Sequence, residues 1–191
     1  MPRGVARDHE EKRAAIRKAA AVYFAKTGFD RASMAGAAKA AGVSKALIYH
    51  YWDSKEDLLF DILDAHLSVL ADAVEEAGAQ YGLRGLVRTI LVGYRDADDE
   101  HKLQIDALAT LPADKQAPLI GHQRKLVDTM SDAVRIASEG RLEGHRLRAV
   151  TMSVFGMLNW FYMWHRPGRG LSREDYADLV TDLVMNGVGK L

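Results

Sequence analysis

The segment SKALIYHYWDSK, Ser44 to Lys55, gathers the residues best suited to chemistry. On a helix turning about 100° per residue, Lys45, Ala46, Tyr49 and His50 share one side. Ile48 and Trp52 fall opposite, flanked by Leu47 and Tyr51. A cation, a phenol and an imidazole on one exposed face suit phosphate oxygens and base edges. Ile48 and Trp52 are expected to pack inward, onto Ile16, Tyr23 and Phe24. Lys55 lies in the first turn of the next helix, where the dipole disfavours a cation. A phosphate close by accounts for it, and so does a local surface ion pair.

Other chemistries find little support. Without cysteine there is no disulfide framework, thiolate metal site or Cys nucleophile. No HExxH, P-loop or serine-nucleophile motif occurs, so an enzyme is not expected and no cofactor is implied. His101 follows the acidic run DADDE, which reads as a solvated helix start before it reads as a metal site.

The elements that must position the Ser44–Lys55 face are helical throughout. Ala, Leu, Glu, Arg and Lys dominate, and β-branched runs are absent. The pattern predicts an all-α protein of about nine helices. The first runs from about Asp8 to Thr27 and stops at Gly28. Ser33 caps a short second helix, Gly42 turns the chain, and Ser44 caps a third that ends near Trp52. Asp53 or Ser54 caps a fourth, with Glu56 and Asp57 placed for box bonds, running to about Ala77. Further helices are expected over about Leu86–Ala97, from DADDEHK to Leu111, over Ala117–Ser138, over His145–Trp164, and from Ser172 to Asn186. Three short helices with a tight turn before the third make a helix-turn-helix pattern.

The net charge of zero hides a split. Residues 1–52 carry +6 and residues 53–191 carry −6. A basic module joined to an acidic body fits nucleic-acid binding, and solvated helix faces explain it as well. The N-terminus lacks the apolar core of a signal peptide. Ala149–His165 bears no Lys, Arg, Asp or Glu but is too short for an ordinary membrane span, so it reads as a helix buried in protein. A cytoplasmic protein with no membrane partner is expected.

GVSKALIYHYWDSKEDLL resembles the signature GVSKGTLYHYFxSKExLL of the tetracycline-repressor (TetR) family of bacterial transcription factors. The preceding order also matches: an amphipathic helix, Gly-Phe, then a Ser-capped helix. The resemblance covers about residues 10–60 closely and the remainder in layout. It implies a helix-turn-helix DNA-binding domain over 1–53 and an effector-binding and dimerisation domain over 54–191. Carried over by position, Ser33 would bind phosphate. Lys45, Ala46 and Leu47 would lie nearest the base edges, Tyr49, His50 and Tyr51 would clamp phosphates, and Lys55 would hold another. The chain departs from the pattern at Ala46 and Leu47, at Ala35 where a polar residue is frequent, at Ala37 where Ile or Leu usually packs, and at Trp52 in place of Phe. Leu47 offers a thymine methyl a contact rather than a hydrogen bond. The larger indole is expected to fill space left by Ala37. Arg3 and Arg7 of the Met1–Arg7 tail could enter a minor groove, or belong to a solvated end.

The resemblance further implies a small-molecule pocket in the larger domain. Candidate lining residues are Leu63, His66, Leu67, Leu70, Tyr94, Ile105, Leu108, Leu126, Met130, Met152, Phe155 and Asn159. Methionines and aromatics with a few polar groups suit an apolar effector, though most such positions in any protein are core. GMLNWFYMWHRPGRGLSREDYADLVTDLVMNGV is similar to regulators of lipid, steroid and aromatic-acid degradation, several of which respond to acyl-CoA esters. Arg124, Lys125 and Arg148 could meet a phosphate-bearing ligand. The last two helices are expected to form a homodimer seam, with Trp160, Phe161 and Trp164 as anchors. The expected function is a ligand-responsive repressor of a palindromic operator on double-stranded DNA. The alternative is a non-catalytic helical ligand-binding or assembly protein whose reader is vestigial.

Overall fold

A computed structural model describes residues 3–166 and 168–188. Among these residues the chain is helical, with no strand. The helices are α1 (Arg3–Thr27), α2 (Met34–Ala40), α3 (Lys45–Tyr51), α4 (Lys55–Gly93), α5 (Asp98–Ala107), α6 (Ala113–Ala137), α7 (Gly144–Asn159), the single turn α8 (Phe161–Trp164) and α9 (Arg173–Val188). Two compact units form. One holds the described residues up to His66 together with Ala97–Leu119; the other holds Leu67–Asp96 and the described residues from Ile120 onward.

The first unit is built on α1. Ile16, Ala20 and Phe24 recur at helical spacing and are buried, with Phe29, Met34, Ala37 and Ile48. Each large apolar side chain so enclosed contributes about 1.5–3 kcal/mol. α2 lies close to α1 at Gly36, where a Cβ would sit 2.1 Å from the Tyr23 hydroxyl oxygen. Only glycine admits that approach. Ser33 and Ser44 cap α2 and α3, accepting from the Gly36 and Leu47 amides at 3.1 Å. Before α4, Ser54 and Asp57 form the capping pair, with the Asp57 amide 3.0 Å from the Ser54 hydroxyl. Lys115 reaches Asp57 from α6 and, with Ser54, holds that carboxyl below the usual carboxylate range. The DADDE run opens α5, where Glu100 pairs with Lys18 at 2.9 Å.

From α4 onward the helices depart from the expected boundaries in three main places. The fourth and fifth expected helices are one run, α4, interrupted at Gly82 (φ 59°, ψ −156°). That conformation is essentially glycine's alone, so the turn between the two rods costs one residue rather than a loop. α6 begins at Ala113 and runs through Pro118, which forfeits one bond, to the Asp114 carbonyl, just past the first turn. The expected helix over His145–Trp164 divides at Trp160 into α7 and α8. Nothing in that apolar run announces the break. As expected, Ser172 and Asp175 cap α9, the Asp175 amide donating to the Ser172 hydroxyl at 3.0 Å.

Candidate nucleic-acid interface

α3 has one face in the core and one outside it. Ile48 is fully buried and Trp52 nearly so. Lys45, Ala46, Tyr49 and His50 are exposed, while Leu47 and Tyr51 are half-buried at the margins. The projected division of the helix is the observed one. Lys45 Nζ lies 5.9 Å from the centre of the Tyr49 ring, so cation and phenol sit together. The face is therefore a cluster of hydrogen-bond donors carried on a rigid helix, able to meet anionic oxygens but equipped with no nucleophile or paired acid and base.

α1 adds a residue that the sequence reading missed. His9 packs at 4.6 Å against Tyr51, the rings tilted by 47°, and lies edge-on to His50 at 6.1 Å. Its backbone carbonyl accepts from the Tyr51 hydroxyl at 3.5 Å. The contact spans 42 residues of sequence, and no helix-turn-helix spacing announces it. Ser33 is exposed at the start of α2, and a hydroxyl that accepts from Gly36 can still donate to a phosphate. Arg3 onward is helix, and Arg7 pairs with Glu11 at 2.9 Å. The remainder of the expected minor-groove arm, Met1 and Pro2, lies outside the described residues.

Lys55 is placed differently from the expectation. Its ammonium points back at the turn before α2, donating to the Phe29 carbonyl at 3.0 Å, Asp30 at 3.3 Å and Ala32 at 3.5 Å. It also lies 4.5 Å from the centre of the Phe29 ring. Carbonyl dipoles at the end of that 3-10 turn attract the cation that the α4 dipole repels. This resolves the puzzle of a lysine in a first turn without invoking an anion. Trp52 also has an unforeseen partner: the indole nitrogen donates to Asp61 at 2.9 Å.

The candidate effector residues are dispersed. Leu63, His66, Ile105 and Leu108 belong to the first unit, and Leu67, Leu70, Tyr94, Leu126, Met130, Met152, Phe155 and Asn159 to the second. Leu63, Leu67, Leu70, Leu108, Leu126, Met130 and Phe155 are buried core, and Ile105 and Met152 are 45% and 48% exposed. Tyr94 donates to Asn159 at 3.0 Å, and burial pushes the Tyr94 phenol up from its ordinary value. His66 borders a cleft of about 200 Å³ with Lys18, Ile62 and Glu100. Burial, and then the Lys18 charge, push its imidazole down to about 4. In the second unit a cleft of about 540 Å³ lies beside the Gly82 break, lined by Tyr81, Arg84, Thr129, Ile136 and Met185 among others. None of the candidate residues lines it. Sequence periodicity selects inward-facing positions, which are also where the chain packs most tightly.

The expected dimer anchors divide as well. Trp160 and Trp164 are 56% and 49% exposed. Phe161 is fully buried, stacked 4.4 Å from His165 and 4.9 Å from Tyr176, with the Arg173 guanidinium 5.0 Å over its ring. It is an internal pillar, and its assignment to an intersubunit surface is corrected on that ground. Leu179 and Leu183 of α9 are exposed. Among the described residues no helix is long and apolar enough to cross a membrane.

Comparison with known proteins agrees with this geometry. The N-terminal model of the tetR family of bacterial regulatory proteins matches residues 16–62. A tetracyclin repressor-like C-terminal domain model matches residues 76–188. A search of the curated proteins found no match. Among solved structures, a TetR-family transcriptional regulator from Bordetella parapertussis 12822 is 30% identical over 90% of this chain and 93% of its own, with a TM-score of 0.84. AibR, solved in complex with isovaleryl coenzyme A and operator DNA, is 27% identical over 90% of this chain and 97% of its own, with a TM-score of 0.77. The ketosteroid regulator KstR2 of Mycobacterium tuberculosis shares the fold, with a TM-score of 0.81 at 18% identity over 92% of this chain and 93% of its own. With both parts of the chain matched and a DNA-reading helix exposed as that architecture requires, the protein belongs to the tetR family of transcriptional regulators, DNA-binding proteins rather than enzymes.

Proposed function

We propose that this regulator is a homodimeric repressor that leaves a palindromic operator when an acyl-CoA ester binds its larger domain. The exposed Lys45–Tyr49–His50 face, backed by buried Ile48 and Trp52, carries the DNA part of the reading. Lys45, Ala46 and Leu47 meet base edges from the N-terminal end of α3. Ser33, Tyr49, His50 and Tyr51 hold phosphates. Lys55 joins them only if it releases the carbonyls it now holds. Likeness to AibR supports the ligand class, because that protein was solved with isovaleryl coenzyme A and operator DNA together. Arg124 and Arg148 are exposed cations for a polyphosphate headgroup, and exposed Lys125 joins them by exchanging Glu75, 3.4 Å away, for a phosphate. The outward Trp160, Trp164, Leu179 and Leu183 give a second copy an apolar surface to cover. Ligand then acts by favouring the state that DNA does not.

The test is release. A duplex selected by the protein is titrated against isovaleryl coenzyme A, with free coenzyme A as control. Loss of DNA affinity with the ester alone supports the proposal; unchanged affinity at saturating ester removes the ligand assignment. A vestigial reader, the reading that Ala35 and Leu47 motivate, predicts that no duplex is selected at all.

A further inference from the structure

The Trp52–Asp61 contact reaches beyond core packing. Trp52 is the C-cap of α3, its amide bonded to the Ile48 carbonyl at 3.1 Å. Its indole nitrogen donates to Asp61 Oδ2 at 2.9 Å. The other oxygen of the same carboxylate accepts from Arg13 at 2.8 Å and Arg17 at 3.4 Å, both on α1. The Asp61 side chain is only 14% exposed. One shielded carboxylate thus gathers donors from α1 and from the end of α3 while standing on α4. Removing any donor leaves charge less well compensated, which is why such a centre resists distortion. From Trp52 the contacts continue outward: its ring lies 5.3 Å from Tyr51, which packs against His9 at the edge of the reading face. A phenylalanine, the commoner residue of the resembling signature, could fill the space but could not donate.

We propose that Asp61 is a positioning residue of the DNA reader, fixing the angle of α3 through the Trp52 indole and two α1 arginines. It touches no DNA. Buried Ile48 and the Trp52 ring hold α3 by apolar contact, which fixes its depth; the directional indole bond adds the constraint that sets the aim of Tyr49, His50 and Tyr51. The inference rests on the proposed DNA-binding function.

The test is a double-mutant cycle on the full-length protein, using a duplex that the wild type selects from a random pool. Trp52→Phe and Asp61→Ala are each expected to weaken binding about tenfold, the scale of a hydrogen bond to a charged group. The double variant is expected to lose little more than Asp61→Ala alone, which already removes the indole's acceptor along with that of Arg13 and Arg17. The dependence of log affinity on log salt should keep its slope, since neither substitution removes a cation from the reading face. Titrating the active fraction separates positioning from folding: a purely structural role lowers the amount of competent protein and leaves its affinity intact. Independently of DNA, the Trp52 indole proton should exchange slowly in the wild type and rapidly in Asp61→Ala. Wild-type affinity in Trp52→Phe, or losses that multiply in the double variant, would overturn the inference alone. A wild type that selects no duplex removes it together with the proposed function.

Discussion

Each reading side chain is set by what stands behind it. Tyr49 and Lys45 face outward because Ile48 and Trp52 occupy the core, so truncating the outer pair should leave the fold intact. Lys45→Ala is expected to weaken binding to the selected duplex by about 1–3 kcal/mol and to relax the preference at the base it meets. Adding Tyr49→Ala should abolish binding at physiological salt while circular dichroism stays unchanged. Lys55 belongs to a different class. Lys55→Met deletes three bonds to carbonyls and should cost about 1–2 kcal/mol in urea unfolding. His66 makes a pH prediction. Its imidazole is held near 4 in the folded state against an ordinary value of 6.5, so the unfolded chain takes up the proton first as pH falls. The stabilisation is whole above 6.5 and is lost through the interval down to about 4, at most about 3 kcal/mol. His66→Gln should flatten the acid side of the stability profile over that interval.

At the scale of the element, caps and breaks carry the most information. Ser33, Ser44, Ser54 and Ser172 mark their helix starts in the sequence because a hydroxyl three residues before a free amide has one obvious use. The break at Gly82 was legible only as a loosening, since Gly78 and Gly85 stand nearby with different tasks. Gly78 admits Thr129 close to the α4 backbone, whereas Gly82 supplies a positive φ. Gly82→Ala should destabilise the protein by about 1–3 kcal/mol, measured by urea denaturation. Gly121→Ala, in open space within α6, should do no such damage. The Trp160 break and the His9–Tyr51 contact were not legible, because each depends on tertiary contacts that local pattern does not encode. For the same reason Phe161 and Trp164 look equivalent in sequence, yet one is internal and the other faces outward.

For the whole molecule, the exposed face of α3 was readable because a helix periodicity and a short signature converge on it. The lining of the cleft beside Gly82 was not, since the apolar residues that line a cavity and those that fill a core share one alphabet. The paired exposed tryptophans give a prediction here: Trp160→Glu with Trp164→Glu should convert a sedimenting dimer to monomers and weaken operator binding by reducing bivalent contact. The most direct test of the account is selection of duplexes from a random pool by the full-length protein. It predicts recovery of an inverted repeat whose half-sites lie about 34–36 Å apart, or a multiple of one DNA turn, with loss of recovery in Lys45→Ala/Tyr49→Ala. Equal recovery by that variant, or enrichment of no sequence by the wild type, would contradict it.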